Sequence, residues 1–430
     1  MPTSNIVDSY PGYNTLALIQ DSEEFVLKTA STALALGFIS LALFLWKVNN
    51  PPALYYDESQ YVDAARAFLA DAPNPNPEAP PLGKLLVAVS IKTLGDNPVG
   101  WRAIGATFGS LTLVGTFLWA FLLLHDYALA FTAALLTLLN NFLFVMSRIA
   151  MMDIFLVGFL IWGLLGFTAA IDLEHLTANQ RRVLLFSSGI ALGCACACKW
   201  NGVDTLAVVV LMALALFWIG KRSANALVLA HRTRLVEIGI PSLLGALIVL
   251  PVVAYSLTYW PLCRSLHRPF NLHELVAMNT FIWRFHHHVP GNPAIASKWY
   301  SWMLQVSPQR ALSYLVGNWA IMWGGLLALA FCARRMGRSF PHTLLVLLYL
   351  ANLLQWAATP QKYLYYYYYF PASMFLGVAT ALALQDLPQR VLGISPKLVF
   401  VIAAACVFAF CFAHMTHLEA PYDCALGCWP

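Results

Sequence analysis

Two adjacent carboxylates, Asp57 and Glu58, are the sharpest chemical feature of this 430-residue sequence. They follow an apolar segment, 29–47, by about ten residues. A carboxylate in that setting can act as a general base or orient an acceptor. It can equally cap the helix that follows, with Gln60 three residues on completing an aspartate form of the capping box. The two roles are compatible at a helix start. Three cations, Lys84, Arg102 and Arg148, fall at the same level of the chain. Singly, each fits snorkelling towards lipid phosphates. Together, beside one carboxylate, they suggest a phosphate clamp, with Arg gripping bidentately and Lys adding a point charge. A sugar carried on a lipid phosphate has an acidic leaving group, so its departure needs no general acid. One carboxylate to activate an acceptor hydroxyl is then enough, whereas a glycosidase would need two. The clamp would stabilise the charge that develops on the departing phosphate.

Further ionisable residues gather at the same boundary. Asp153 opens an apolar segment in SRIAMMDIF, where it fits a helix cap or a partner for Arg148 or a sugar hydroxyl. Lys199 ends another segment, Lys362 precedes the tenth, and Lys298 lies in SKWYSWML. We expect Asp153, Lys199, Lys298 and Lys362 to support the site. His286, His287 and His288 form a contiguous triplet, and neighbours in a row point in different directions, which disfavours three ligands on one metal. No HExxH motif or other complete metal pattern is present. The aromatic run of Tyr363, Tyr365 to Tyr369 and Phe370 predicts an interfacial belt and also suits sugar or polyprenyl contacts.

The elements that must position these groups are apolar. The chain is 60% hydrophobic and 10% charged, against roughly 25% charged in soluble domains. This excludes a water-soluble enzyme, a nucleic-acid-binding module and a disordered hub. A membrane helix needs about 20 apolar residues. Eleven candidates meet this, near 29–47, 99–124, 127–146, 153–171, 183–199, 202–219, 238–259, 311–332, 341–358, 365–384 and 397–416. Residues 1–430 thus read as a single all-α polytopic membrane domain. Cys194, Cys196 and Cys198 alternate in an apolar segment and predict packing. Cys424 and Cys428 lie in a polar tail, where they could pair outside the cell. The polar first 24 residues do not read as a cleavable signal peptide.

Lys and Arg in the short loops place the N-terminus in the cytoplasm, with Arg181, Arg182, Lys221, Arg222, Arg334 and Arg335 on that side. Two long loops, 48–98 and 260–310, then fall on the outer face. In the first, 57–70 has helical periodicity, a proline elbow follows at 73–81, and 83–95 is amphipathic and too short to span. These two segments read as interfacial helices.

In order and spacing, these residues resemble the protein O-mannosyltransferase branch of the GT-C glycosyltransferases, which use a polyprenyl-phosphate sugar. The markers run along nearly the whole chain: Asp57-Glu58, PPLGK at 80–84, WRAIGATFGSL with Arg102, SRIAMMD at 147–153 and CKWNG at 198–202. SKWYSWML at 297–304, GNWAIMWGG at 317–325 and YLYYYYYFP at 363–371 complete the set. The resemblance implies a GT-C fold and an extracytoplasmic active site. It implies that Asp57 is the catalytic acidic residue supported by Glu58, and that Lys84 and Arg102 hold the carrier phosphate. The chain resembles the lipid A aminoarabinose transferases less closely, around Asp57-Glu58 and Glu78. That analogy implies a divalent metal held by Glu78 and a loop histidine, His287. Ala79 stands where the family usually has a histidine before paired prolines. No luminal β-trefoil is expected either, which leaves the acceptor open between a protein and a glycan or lipid.

The expected activity is transfer of a hexose such as mannose from a polyprenyl-phosphate donor to an acceptor hydroxyl, inverting, in the plasma membrane, with no nucleic-acid partner. The alternatives are a lipid-linked sugar flippase without transfer chemistry and a non-catalytic membrane subunit.

Overall fold

A computed structural model describes residues 23–54, 56–223, 225–288, 296–304, 317–359, 361–387 and 393–417. Its helices follow the apolar segments. They are α1 (Glu23–Leu45), α2 (Glu58–Leu69), α3 (Leu82–Leu94), α4 (Pro98–Leu124), α5 (Tyr127–Leu138), α6 (Met152–Asp172), α7 (Ala178–Cys198), α8 (Gly202–Trp218) and α9 (Ala226–Ile238). Then come a long helical span α10 (Ile240–Ser265), α11 (Leu272–His287), α12 (Trp319–Ala333), α13 (Phe340–Ala358), α14 (Phe370–Gln385) and α15 (Pro396–His417). Among the described residues, eight helical spans are long and apolar enough to cross a membrane: Leu27–Leu45, Pro98–Leu124, Met152–Asp172, Ala178–Cys198, Gly202–Arg222, Ile240–Ser265, Phe340–Ala358 and Tyr366–Gln385. The remaining three expected spans are present as shorter apolar helices, Tyr127–Leu138, Trp319–Ala333 and Pro396–Cys411.

The shortening has a local cause. The expected span 127–146 is interrupted at Asn140, whose side chain accepts from the Phe142 N–H and starts a separate helix, Asn141–Met146. A side-chain amide that caps a new helix competes with continuation of the old one. Residues 311–316 of the expected span 311–332 lie outside the described residues, as do Cys424 and Cys428.

The bundle is organised on α4, which packs against α1, α3, α5 and α6, while α6 packs along α7. α14 packs against α12, α13 and α5. Phe117, Trp119, Phe155, Phe167 and Phe370 are fully buried between these helices. α4 starts sharply because Asn97 accepts from the Val99 and Gly100 N–H groups and Pro98 occupies the first turn.

The segment 48–98 contains two helices, α2 and α3, packed on each other, with α3 also against α4. In PPLGK, Gly83 lets α3 press on the start of α6. A Cβ there would collide with the Met152 side chain. In CKWNG, Gly202 begins α8 in close approach to the last turn of α7. A Cβ would lie 2.6 Å from the Cys196 backbone nitrogen. Both glycines therefore set the entry geometry of the segments that carry the charged residues.

Candidate active site

Asp57 sits at the N-cap position of α2, but its side chain makes no capping hydrogen bond. The Tyr367 hydroxyl donates to Asp57 Oδ2 at 3.2 Å instead. Gln60 does not close a capping box either; its Oε1 accepts from Asn76 Nδ2 at 3.2 Å. Tyr56, immediately before Asp57, holds φ at 55°, a left-handed conformation rare for a non-glycine residue. Its ring meets Tyr367 edge-on at 5.6 Å, so the same tyrosine braces the turn and the carboxylate it presents. Burial pushes the Asp57 carboxyl up to about 6, against the opposing pull of the Tyr367 hydrogen bond and Lys199, with Asp153 adding to the rise.

Asp153 and Lys199 complete this centre. Asp153 lies in the first turn of α6, whose N-cap is Met151, and so does not cap it. Lys199 Nζ pairs with Asp153 Oδ1 at 2.8 Å. It also stands over the faces of Tyr368 at 4.6 Å and Tyr367 at 5.2 Å. Tyr366–Tyr369 form a 3₁₀ turn ahead of α14, and Tyr368 stacks on Trp356 at 4.4 Å. The aromatic run therefore lines the centre and the core beside it.

Glu58, one residue from Asp57, does something else. It is fully buried and clasped by Arg102, Nε to Oε1 at 2.8 Å and Nη2 to Oε2 at 2.7 Å. Its Oε1 also accepts from the Ala150 N–H at 2.8 Å. Arg102 gives its remaining donors to the carbonyls of Val48, Pro51 and Ala53 at 2.8–3.0 Å. This cluster ties α4, the approach to Asp57 and the turn before Asp153 into one unit.

The other two cations of the expected clamp also meet main-chain carbonyls. Arg148 bonds the carbonyls at the end of α1 from Leu43, Phe44 and Trp46 at 2.5–3.2 Å, a C-terminal helix cap from outside the helix. Lys84 is fully buried. Its Nζ donates to Asn76 O at 2.5 Å, Asn76 Oδ1 at 3.2 Å and Ala79 O at 2.7 Å. Burial pushes Lys84 down to about 7. The elbow it holds carries Glu78, whose Oε1 accepts from Asn76 Nδ2 at 2.7 Å. Lys84→Met strands three carbonyl acceptors. It is expected to destabilise the protein by about 1–3 kcal/mol, read as a lowered unfolding temperature in detergent.

The histidine that reaches Glu78 is His286. It bonds the Glu78 backbone, which opposes the fall in its pKa caused chiefly by burial and then by Lys199. Its Nδ1 lies 2.6 Å from Gln361 Nε2, and its ring is 6.2 Å from that of Trp200. His287 is exposed on another face of α11 and bonds the Trp283 carbonyl at 2.8 Å. His287 was the expected partner of Glu78; adjacent residues on a helix are turned about 100° apart, and it is His286 that bonds the Glu78 backbone. Among the described residues no group of three or more His, Cys, Asp or Glu is placed to hold a metal ion. Lys298 and Lys362 are exposed, over the rings of Tyr300 at 5.7 Å and Tyr363 at 5.3 Å.

The sequence reading did not single out Tyr61, Trp200, Gln361 or Tyr367. Tyr61 has its hydroxyl pKa raised by burial and then by Asp57. Tyr367 was inside the aromatic run, but nothing in the run distinguishes the one ring that reaches Asp57.

The chain is similar to known proteins both in sequence and in fold. Residues 34–267, more than half of the chain, match the family described as dolichyl-phosphate-mannose-protein mannosyltransferase. A polyprenol-phosphate-mannose–protein mannosyltransferase of Corynebacterium glutamicum is 29% identical over 237 residues, 46% of this chain and 44% of that protein. The chain thus spans less than half the length of that relative. One of the same name from Mycobacterium tuberculosis is 25% identical over 414 residues, 79% of this chain and 77% of its own length. The Saccharomyces cerevisiae protein O-mannosyltransferase complex bound to the sugar donor aligns with a TM-score of 0.76 at 12% identity, covering 92% of this chain and 91% of that one. ArnT from Cupriavidus metallidurans bound to undecaprenyl phosphate aligns with a TM-score of 0.60 at 16% identity, over 93% and 67% of the two chains. These likenesses, with the apolar helices, establish a multi-pass integral membrane protein of GT-C fold. The match over most of the bundle, including both carboxylates, makes the chain a member of the dolichyl-phosphate-mannose-protein mannosyltransferase family.

Proposed function

We propose that this protein transfers a hexose, mannose by family, from a polyprenyl-phosphate donor to an acceptor hydroxyl, with protein as the first acceptor class to test. The observation that carries the reading is Asp57. It is a carboxyl held by one tyrosine hydroxyl beside a lysine, with its pKa raised to about 6 by burial. Such a group is mostly ionised at neutral pH yet basic enough to take a hydroxyl proton as a bond forms. In the proposed step the acceptor oxygen attacks the anomeric carbon and Asp57 takes the hydroxyl proton. The bond from that carbon to the phosphate oxygen breaks, and polyprenyl phosphate leaves with the electron pair. A single displacement of this kind inverts the anomeric centre.

Glu58, Arg102, Arg148 and Lys84 serve in this reading as the frame, since each is already bonded to protein groups. The site lies on the extracytoplasmic side, with the N-terminus in the cytoplasm and the protein in the plasma membrane, as the short-loop cations favour. The lipid tail enters laterally between helices.

The reading has a pH consequence. The base acts only when ionised, so transfer is expected to hold level above the Asp57 pKa of about 6 and to fall about tenfold per unit below it. A pH–rate profile of kcat/KM with purified protein and polyprenyl-phosphate-mannose checks this. A flat profile down to pH 4.5 would contradict a base with this pKa.

A further inference from the structure

The Lys199–Asp153 pair has an unbalanced geometry. Asp153 is 1% exposed, and Oδ1 takes the Lys199 ammonium at 2.8 Å. Its other oxygen, Oδ2, is buried with no hydrogen-bond partner. A buried carboxylate oxygen without a donor is rare in folded proteins and asks for an explanation. Lys199 is the opposite case. It is 21% exposed and carries three N–H donors, one of them on Asp153. Its remaining contacts are the faces of Tyr367 and Tyr368, which attract a cation without fixing its direction. The pair also sits beside Asp57, lowering its pKa through Lys199 and raising it through Asp153.

This is the arrangement of a pair built to exchange partners. With no donor bound, two charges in a shielded site must neutralise each other. A carrier phosphate offers the ammonium a stronger partner with several acceptor oxygens. The departure of Lys199 would then leave Asp153 with both oxygens lacking donors, unless another donor arrives in the same event. A sugar attached to that phosphate brings hydroxyls to the same place.

We propose that the Lys199–Asp153 pair opens on donor binding: the ammonium passes to the carrier phosphate, and a hydroxyl of the donor sugar replaces it on Asp153. Lys199 is then the phosphate-binding cation of the site, and Asp153 a sugar-recognising residue. The inference rests on the proposed lipid-phosphate-sugar donor. It accounts for the unpartnered oxygen, for the exposure of the lysine, and for the separation of both residues from the buried frame around Glu58.

The test compares two ligands, undecaprenyl phosphate and undecaprenyl-phosphate-mannose, binding to the full chain in detergent. Lys199→Met is expected to weaken both by about 10-fold or more, because both carry the phosphate. Lys199→Arg should restore most of that. Asp153→Asn is expected to weaken only the mannosyl ligand, by about 10-fold, and to leave the sugarless lipid as tight or tighter, since Lys199 no longer has to leave a partner. The ratio of the two dissociation constants is the readout, because a merely structural pair would move both ligands together. Equal losses for both ligands in Asp153→Asn, or undiminished phosphate binding in Lys199→Met, would overturn the exchange. Asp57→Asn should bind both ligands as the wild type does. If the wild type takes up neither ligand, the donor reading itself falls, and the exchange with it. If it takes up both and the ratio does not move in Asp153→Asn, only the exchange falls.

Discussion

Asp57→Asn is expected to lower transfer by about 10²- to 10⁴-fold, the usual contribution of a general base, while donor affinity stays close to that of the wild type. The substitution keeps the shape and leaves an amide oxygen to accept from Tyr367, which donates at 3.2 Å in the native site. It removes the only property the reaction is proposed to use, the ability to take a proton. Steady-state release of polyprenyl phosphate, with binding measured separately, resolves the two effects. Tyr367→Phe gives a graded companion. It removes the hydroxyl that holds the ionised form, so the rate should fall modestly and the acidic limb of the pH profile should shift upward, since that bond lowers the Asp57 pKa. A loss of rate with no shift in the profile would mean that Tyr367 acts on something other than Asp57.

The second large effect concerns stability. Arg102→Met leaves the buried Glu58 carboxylate without its ion-pair partner, though the Ala150 N–H still donates to it, and also strands the carbonyls of Val48, Pro51 and Ala53. Breaking a buried ion pair from one side costs about 3–5 kcal/mol, a large share of the stability of an ordinary domain. The variant should be recovered poorly and unfold at a much lower temperature. Glu58→Gln in the Arg102→Met background should recover part of the loss, because the uncompensated charge is gone. That non-additivity separates a frame from a ligand-binding role. If Arg102→Met were as stable as the wild type and defective only in donor binding, the cation would belong to the donor site after all.

The helices were legible because long apolar runs leave little choice in a bilayer, where every backbone group must be satisfied within the segment. The break at Asn140 was not, since an asparagine in an apolar run is read as a tolerated polar residue until its side chain is seen to cap Phe142. Asp57 and Glu58 adjoin in sequence and Asp153 pairs with Lys199, but the partners of the charged residues were hidden for two reasons. The acceptors of Lys84, Arg102 and Arg148 are mainly main-chain carbonyls, and carbonyls leave no mark in a sequence. The partners of Asp57 and Asp153 are remote, with Tyr367 lying 310 residues from Asp57 and Lys199 46 residues from Asp153. His286 and His287 could not be told apart without the phase of α11. Glu58, expected to support Asp57, is clasped by Arg102, and a pairing across 44 residues is not visible in local spacing.

The central claim is transfer from a lipid phosphate with Asp57 as base, and it is tested most directly by separating transfer from movement. The protein would be reconstituted in liposomes with undecaprenyl-phosphate-mannose labelled in the sugar, and with a Ser/Thr-rich peptide outside. The account predicts label appearing on the peptide, with an equal amount of undecaprenyl phosphate released, and neither product with Asp57→Asn. Donor crossing the bilayer at equal rates in both proteins, with no label leaving the lipid, would contradict it and make the protein a carrier of lipid-linked sugar.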